Sequence, residues 1–273
     1  MDLAFGAMNN PHLPLEDEVA SILSLGFEYV EITVEWPRGV LNDSLIRWLS
    51  DVSSTGAFFL VHAPWYLEIG HPYESVRNGA IKVAEEILRV ADRIESPYVT
   101  FHPFTPGWLA SVRDKAREYN LEGFKEIAAL SKNYSPIPLV ENVDHGAFSS
   151  PSDIRYLLDN VPDLGMTFDV AHSFINGGLD KFKSYLRLAS RILHIHVHDN
   201  DMRRDLHLPV GAGKIPWREV VSRIKDVGYR GTITLEPHVG EYIYYRVSKD
   251  LLLRYWKEGP VDEQGQDDGQ SHP

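Results

Sequence analysis

The sequence predicts an α/β protein built as a single (β/α)8 TIM barrel. Short β-rich runs alternate with helical patterns along the whole chain, and such alternation implies parallel strands joined by right-handed crossovers. Eight strand–helix units fit into about 255 residues, the usual size of a closed barrel. The rival arrangement is an open doubly wound sheet, which carries a glycine-rich phosphate turn after its first strand. No such turn follows the first strand here, and "GAGK" at Gly211–Lys214 lacks the spacing and the Ser/Thr of a P-loop.

The elements follow in order. "LAFGA" from Leu3 opens the first strand, and Leu15, Val19, Ile22 and Leu23 space the first helix, which stops at Gly26. "FEYVEITV" is the second strand, followed by a helix around Asp43–Ser53. "GAFFLVHAP" is the third strand, ending near His62. In the next helix Val76, Ala80, Val83, Ile87 and Val90 mark the apolar side. "PYVTFHP" is the fourth strand and "LEGFKEIAALSK" ends the fourth helix. "IPLVEN", "SPSDIRYLLDN" and "LGMTFDVAH" give the fifth strand, fifth helix and sixth strand. A helix around Leu179–Ala189 leads to the seventh strand, "RILHIHVHD". "WREVVSRIKDVG", "GTITLEP" and "YIYYRVSKDLLLRYW" complete the series. The barrel is expected over residues 1–256, with an acidic, disordered tail over 257–273. That tail has few apolar residues and holds all three glutamines of the chain.

Composition narrows the function. Cysteine is absent, so disulfides and thiolate metal sites are excluded and any metal must use His, Asp or Glu. No signal-like run or membrane-length apolar run is present, so a cytoplasmic protein with no membrane partner is expected. The net charge is −12. The tail carries −4 of it, one Lys against five acids, which leaves −8 on the body. An acidic body argues against non-specific nucleic-acid binding, which relies on Lys and Arg facing phosphates.

In barrels of this type the working residues lie at the C-terminal ends of the strands. Strand three ends at His62, strand four at His102 and strand five at Glu141. Strand six ends with Asp169 and His172, strand seven carries His196, and strand eight ends at Glu236. A lone strand-end His or Glu is usually a hydrogen-bonded structural group. Six in succession around one mouth would repel one another, or stay unsatisfied, without cations. In the seventh strand His194, His196 and His198 share one face. His196 is best placed for the mouth, His194 lies deeper in a structural role, and His198 stands beside the metal position. The loop that follows returns Asp205 and His207, an Asp-x-His pair able to grip an ion from one side.

The strand-end residues, and "ENVDHG", "FDVAH", "HVHDN", "DLHLPVGAG" and "LEP" in that order, resemble the xylose-isomerase-like barrels. This superfamily holds sugar and sugar-phosphate isomerases and epimerases together with endonuclease IV, of AP endonuclease family 2. The resemblance spans roughly Leu3 to Tyr255. Its isomerase and epimerase branch implies one divalent ion on Glu141, Asp169, His196 and Glu236. Its endonuclease IV branch implies three zinc ions. The first would lie on His62, His102 and Glu141, the second on Glu141, Asp169, His196 and Glu236, and the third on His172, Asp205 and His207. All nine positions carry the expected residue types.

The leading expectation is a metal-dependent isomerase or epimerase of a sugar or sugar phosphate. The ion would be Mn, Zn, Co or Mg, with one to three per chain. Glu141 and Glu236 would move protons beside a carbonyl held by the ion, and His172 would bind a hydroxyl. Glu31, Trp65, His198, Arg203, Arg204 and Lys214 are the expected substrate contacts. Trp36, Tyr66, Phe104 and Trp108 are further stacking candidates, and Glu68 and His71 would edge the pocket. His12, His145, His238 and His272 stay unassigned. The alternative is a trinuclear zinc phosphodiesterase acting on abasic DNA. The full ligand set and the aromatic after "HAP" favour it, whereas "LAFGAMNN" lacks the Gly-x-His-x-Ser-like start of that branch. A binding module that has lost its chemistry is disfavoured because no ligand position is replaced. Barrels resembling this one commonly form dimers or tetramers.

Overall fold

The computed structural model describes residues 3–39 and 42–258. Eight parallel strands close on themselves in sequence order, β1 to β8, with β8 paired back to β1. They are β1 (Ala4–Met8), β2 (Tyr29–Thr33), β3 (Phe58–His62), β4 (Tyr98–Phe101), β5 (Ile137–Glu141), β6 (Gly165–Asp169), β7 (Ile192–Val197) and β8 (Thr232–Leu235). The surrounding α-helices are α1 (Leu15–Ser24), α2 (Asp43–Ser53), α3 (Glu74–Arg93), α4 (Arg113–Ser131), α5 (Pro151–Asn160), α6 (Val170–Phe174), α7 (Gly178–Leu186), α8 (Trp217–Asp226) and α9 (Ile243–Glu258). None is long and apolar enough to cross a membrane.

Local chemistry explains several boundaries. Asn42 caps α2, its side-chain oxygen accepting from the amides of Ser44 and Leu45 at 3.0 Å each. Pro151 starts α5, where its missing N–H is harmless. Gly6 of β1 is required by packing. A Cβ there would lie 2.2 Å from the ring of Tyr29, which fills the barrel floor beside Ala4 and Leu60. Above that floor the interior turns polar. Thr100 and Thr167 hydrogen-bond across it at 2.8 Å, and Tyr29 meets Thr234 at 2.9 Å.

Three expectations need correction. The buried side of α3 is Arg77, Ala80, Ile81, Ala84, Ile87, Leu88 and Ala91, whereas Val76 and Val83 are exposed. The buried side carries the small residues Ala80, Ala84 and Ala91 at helical spacing, which suit close packing. The sixth strand ends at Asp169 instead of running to His172. Asp169 caps α6 by accepting from the amide of His172 at 2.6 Å, so His172 projects from a short helix. The last helix runs through Glu258, so Lys257 and Glu258 belong to the barrel. The rest of the expected tail lies outside the described residues.

Candidate metal centre and cleft

Glu141 is the hub of the barrel mouth. Its Oε2 lies 3.2 Å from His62 Nε2 and 3.1 Å from His102 Nε2. Its Oε1 lies 3.6 Å from His172 Nδ1 and 3.4 Å from His196 Nδ1. On the far side His196 Nδ1 is 2.9 Å from Glu236 Oε1. The first expected set, His62, His102 and Glu141, brings one donor atom from each within 4.8 Å of the others. So do Glu141, Asp169 and His172, and so do Asp169, His198 and Glu236. Glu141, Asp169, Glu236 and His196, the second expected set, therefore form a ring of neighbours. The third set is also assembled, with Asp205 Oδ2 lying 3.3 Å from His172 Nε2 and 3.0 Å from His207 Nε2.

The proton positions show what this donor set fits. A carbonyl oxygen only accepts, so a ring nitrogen beside one carries the proton. His62 Nδ1 faces the carbonyl of Ala63 at 2.8 Å, and His172 Nδ1 that of Asn142 at 2.9 Å. His207 Nδ1 faces that of Glu236 at 2.8 Å. His196 Nε2 faces the Glu31 carboxylate at 3.1 Å. In each neutral ring the other nitrogen is a bare lone pair, and in each case a carboxylate oxygen lies within 3.3 Å of it. Lone pairs facing carboxylates repel unless a cation lies between them. His196 Nδ1 and Asp169 Oδ2 are fully buried with no hydrogen-bond partner. His and carboxylate donors at this spacing suit a divalent ion such as zinc.

Without an ion, protons take its place. Burial opposes charge on His172, but Asp169, Asp205 and Glu141 outweigh it and hold its pKa well above the usual value. His196 behaves alike, with burial opposed by Glu236, Glu31 and Glu141. For His207, burial is overcome by Asp205 and Glu236, and the pKa is pushed up to about 9. Burial would raise the carboxyl of Glu141, but His102 and His196 hold it well below the carboxylate range. Asp169 is lowered in the same way by His172 and His198.

The loop carrying Asp205 and His207 is tied down by Asp199. This fully buried carboxylate accepts from the amides of Asn200, Gly211 and Ile215 and from Trp217 Nε1, at 2.8 to 3.1 Å. Gly213 must be glycine, because a Cβ there would lie 2.3 Å from Asp199 Oδ1. His207 itself adopts φ +45, held by its Nδ1 bond and by the His238 amide donating to its carbonyl at 2.8 Å. Asp199→Ala should cost at least about 3 kcal/mol, since each buried donor left unpaired costs about 1–3 kcal/mol. Denaturant unfolding measures this, and a loss below about 1 kcal/mol would show that the loop does not depend on Asp199.

Beside Glu236 and His207 a cleft of about 600 Å³ opens between the loops after β1 and β8. Trp65, Tyr242 and Tyr245 line it, as do Glu35 and His238. No Lys or Arg lines it among the described residues. Glu18 fixes one wall by accepting from the Asn10 amide at 2.7 Å and from the Tyr242 hydroxyl. Two smaller hollows, of about 190 and 390 Å³, lie near Tyr229 and Arg191 and hold none of the clustered ligands.

Of the expected substrate contacts, Trp65 borders this cleft and is 62% exposed. Glu31 does not border it. It is fully buried beneath His196, because a carboxylate in the middle of β2 points into the barrel interior rather than into the mouth. His198 is also fully buried, stacked behind His207 at 3.9 Å and 3.2 Å from Asp169 Oδ2. Arg203, Arg204 and Lys214 are exposed outside the cleft, and Arg204 is paired with Asp201 at 2.8 Å. Local Asp–Arg pairing and a solvated lysine explain these positions. His238, unassigned from sequence, stacks on His207 at 4.0 Å and faces the cleft. Its signal was its place two residues beyond Glu236. Trp36, Tyr66 and Trp108 are exposed, so core packing is not their role.

The sequence model of the family described as "Xylose isomerase-like TIM barrel" matches residues 19–254. The chain belongs to that family. Within it, the chain is similar to a solved structure of a D-tagatose 3-epimerase-like protein. The two are 25% identical with a TM-score of 0.85, over 93% of this chain and 97% of that one. It is also similar to fructoselysine 3-epimerase of Escherichia coli O157:H7, 21% identical over 82% of this chain and 86% of the relative. A probable endonuclease 4 of Aquifex aeolicus is 25% identical over 61% of this chain and 65% of the relative. Both expected branches of the family are thus represented among its relatives, and the chain is similar to enzymes on either side.

Proposed function

We propose that the chain is a divalent-metal-dependent epimerase or isomerase of an unphosphorylated ketose. One observation carries this reading. The carboxylates of Glu236 and Glu141 flank His196 Nδ1 at 2.9 and 3.4 Å, at the edge of a cleft without Lys or Arg. A phosphate or a DNA backbone would enter such a cleft facing Glu35 and Glu236 with no Lys or Arg to meet it. A neutral sugar meets hydroxyl acceptors and the faces of Trp65, Tyr242 and Tyr245. The similarity to a tagatose 3-epimerase-like protein and to fructoselysine 3-epimerase supports the same class.

Glu141, Asp169, His196 and Glu236 would hold the ion. When bound, it polarises a ketose carbonyl and so acidifies the neighbouring C–H. Glu236, on the cleft side, removes or returns the proton at that carbon. Glu141 serves the opposite face, where burial is outweighed by His102 and His196, which favour its ionised form. His172 holds a substrate hydroxyl, and Trp65 packs on the sugar ring and excludes water. Incubating the metal-loaded protein with a panel of ketoses in deuterated water tests this. At least one free ketose should take up deuterium and change configuration, and its phosphate ester should react far more slowly. Failure of every ketose to exchange would sink the reading.

The assembled third set favours a second reading. His172, Asp205 and His207, with His198, bring donor atoms within 4.8 Å of one another, as a trinuclear zinc phosphodiesterase would need. Nicking of a duplex with one abasic site at physiological salt, abolished by Glu141→Gln, would establish that reading in place of the first.

A further inference from the structure

We infer that Glu31 is a positioning residue that locks the proton of His196 on Nε2 and so keeps Nδ1 bare for the metal ion. The inference rests on the metal-dependent reading above and adds to it a residue outside the nine ligand positions. Glu31 lies in the middle of β2, fully buried, with Met8 and Leu60 beside it in the sheet. Its Oε2 sits 2.9 Å from His194 Nε2 and 3.1 Å from His196 Nε2. A carboxylate only accepts, so both rings must present N–H to it. His194 remains satisfied in that state, because its Nδ1 can accept from the Thr232 hydroxyl at 2.6 Å. For His196 the same constraint leaves Nδ1 as the lone pair that faces Glu141 and Glu236 with no partner of its own.

The alternative tautomer shows why a lock is needed. With its proton on Nδ1, His196 would donate directly to Glu236 or Glu141. A proton would then stand where the ion belongs, in an arrangement satisfied without metal. The carboxylates of Glu236 and Glu141, 2.9 and 3.4 Å from Nδ1, would draw a proton to that side. The preference must come from the other side of the ring, and Glu31 is the acceptor there. A fully buried carboxylate is costly to keep. Two imidazole N–H groups aimed at one of its oxygens are the compensation this barrel provides.

Two substitutions separate positioning from packing. Glu31→Leu removes the acceptor at similar bulk. Glu31→Gln keeps an acceptor for His196, because its amide can donate to His194 once the His194 proton moves to Nδ1, 3.1 Å from the Thr232 carbonyl. In zinc titrations of chelator-treated protein, folding checked by circular dichroism, Glu31→Leu should bind about 100-fold more weakly. Glu31→Gln should lose about tenfold or less, the range seen when partners behind a ligand are changed. A folded Glu31→Leu protein that binds zinc as tightly as wild type would overturn the inference. Wild-type protein that takes up no zinc would instead sink the metal reading itself. Nitrogen-15 NMR of the zinc-loaded wild type decides the matter even if neither variant folds. His196 should show a protonated Nε2 and a metal-bound Nδ1, and metal bound through Nε2 would refute the lock.

Discussion

Glu236→Gln should lower ketose turnover by at least about 10³-fold, within the range that a positioned general acid–base contributes. The change keeps side-chain size but removes charge and basicity from the cleft-side carboxylate, 2.9 Å from His196 Nδ1. Both readings of the site place Glu236 on an ion, so the loss gains meaning only beside His207→Ala. In the epimerase reading His207 organises the loop and donates one hydrogen bond to the Glu236 carbonyl. Such a bond is worth about 0.5–1.5 kcal/mol, so kcat should fall about tenfold or less, and KM should rise as the cleft wall loosens. Deuterium exchange at the ketose carbon should persist in His207→Ala and vanish in Glu236→Gln. In the phosphodiesterase reading His207 holds the third ion, and residues acting as one unit fail together. Equal, complete loss in both variants, with one bound ion missing from His207→Ala, would end the single-metal epimerase account.

The contrast depends on relations that differ in how far the sequence reveals them. The barrel was legible because each strand is an apolar run bounded by turn residues, and eight of them recur at even spacing. Seven of the clustered side chains were legible as strand-end residues, which in such a barrel converge on one mouth, and Asp205 and His207 as an Asp-x-His pair on the returning loop. Their grouping into ion sites came only from the family resemblance. Glu31 was visible as a charge in an otherwise apolar strand, but its partner lies more than 160 positions away on β7. Only the register around the closed barrel brings them together. The side of each ring that carries the proton was also out of reach. It depends on backbone carbonyls of Ala63, Asn142 and Glu236, which carry no side-chain signal. The cleft joins the loop after β1 to the loop after β8, neighbours only once the barrel closes. Val76 and Val83 misled for a local reason. Apolar spacing marks a face, yet the face that is buried carries small residues such as Ala80 and Ala84, which suit close packing.

Removing the metal should destabilise the protein, and by a margin that widens as pH rises from about 6.5 to about 9. In metal-free protein the His207 pKa is pushed up to about 9, with burial opposing and Asp205 and Glu236 prevailing. In the unfolded chain a histidine titrates near 6.5. A raised folded pKa gives stability that is fully present below about pH 6.5 and is lost as pH climbs through about 9. His172 and His196 are raised as well and act with the same sign. His194 is lowered, chiefly by burial, so its effect falls below about pH 6.5 and does not oppose the trend. The lowered carboxylates Glu141 and Asp169 act only in acid. For His207 alone the span corresponds to about 3 kcal/mol, or roughly 6–12 °C in a barrel of this size. With the ion on Glu141, Asp169, His196 and Glu236, metal-loaded protein should escape the His196 share of the loss, because the ion needs that ring neutral and adds stability by mass action. His207 and His172 lose stability in both forms unless the third set also holds an ion. Thermal unfolding of chelator-treated and zinc-loaded protein at pH 6.5 and 9 reads the difference directly. A gap in Tm that stays constant or narrows across that interval would mean that protons and metal do not compete for His196.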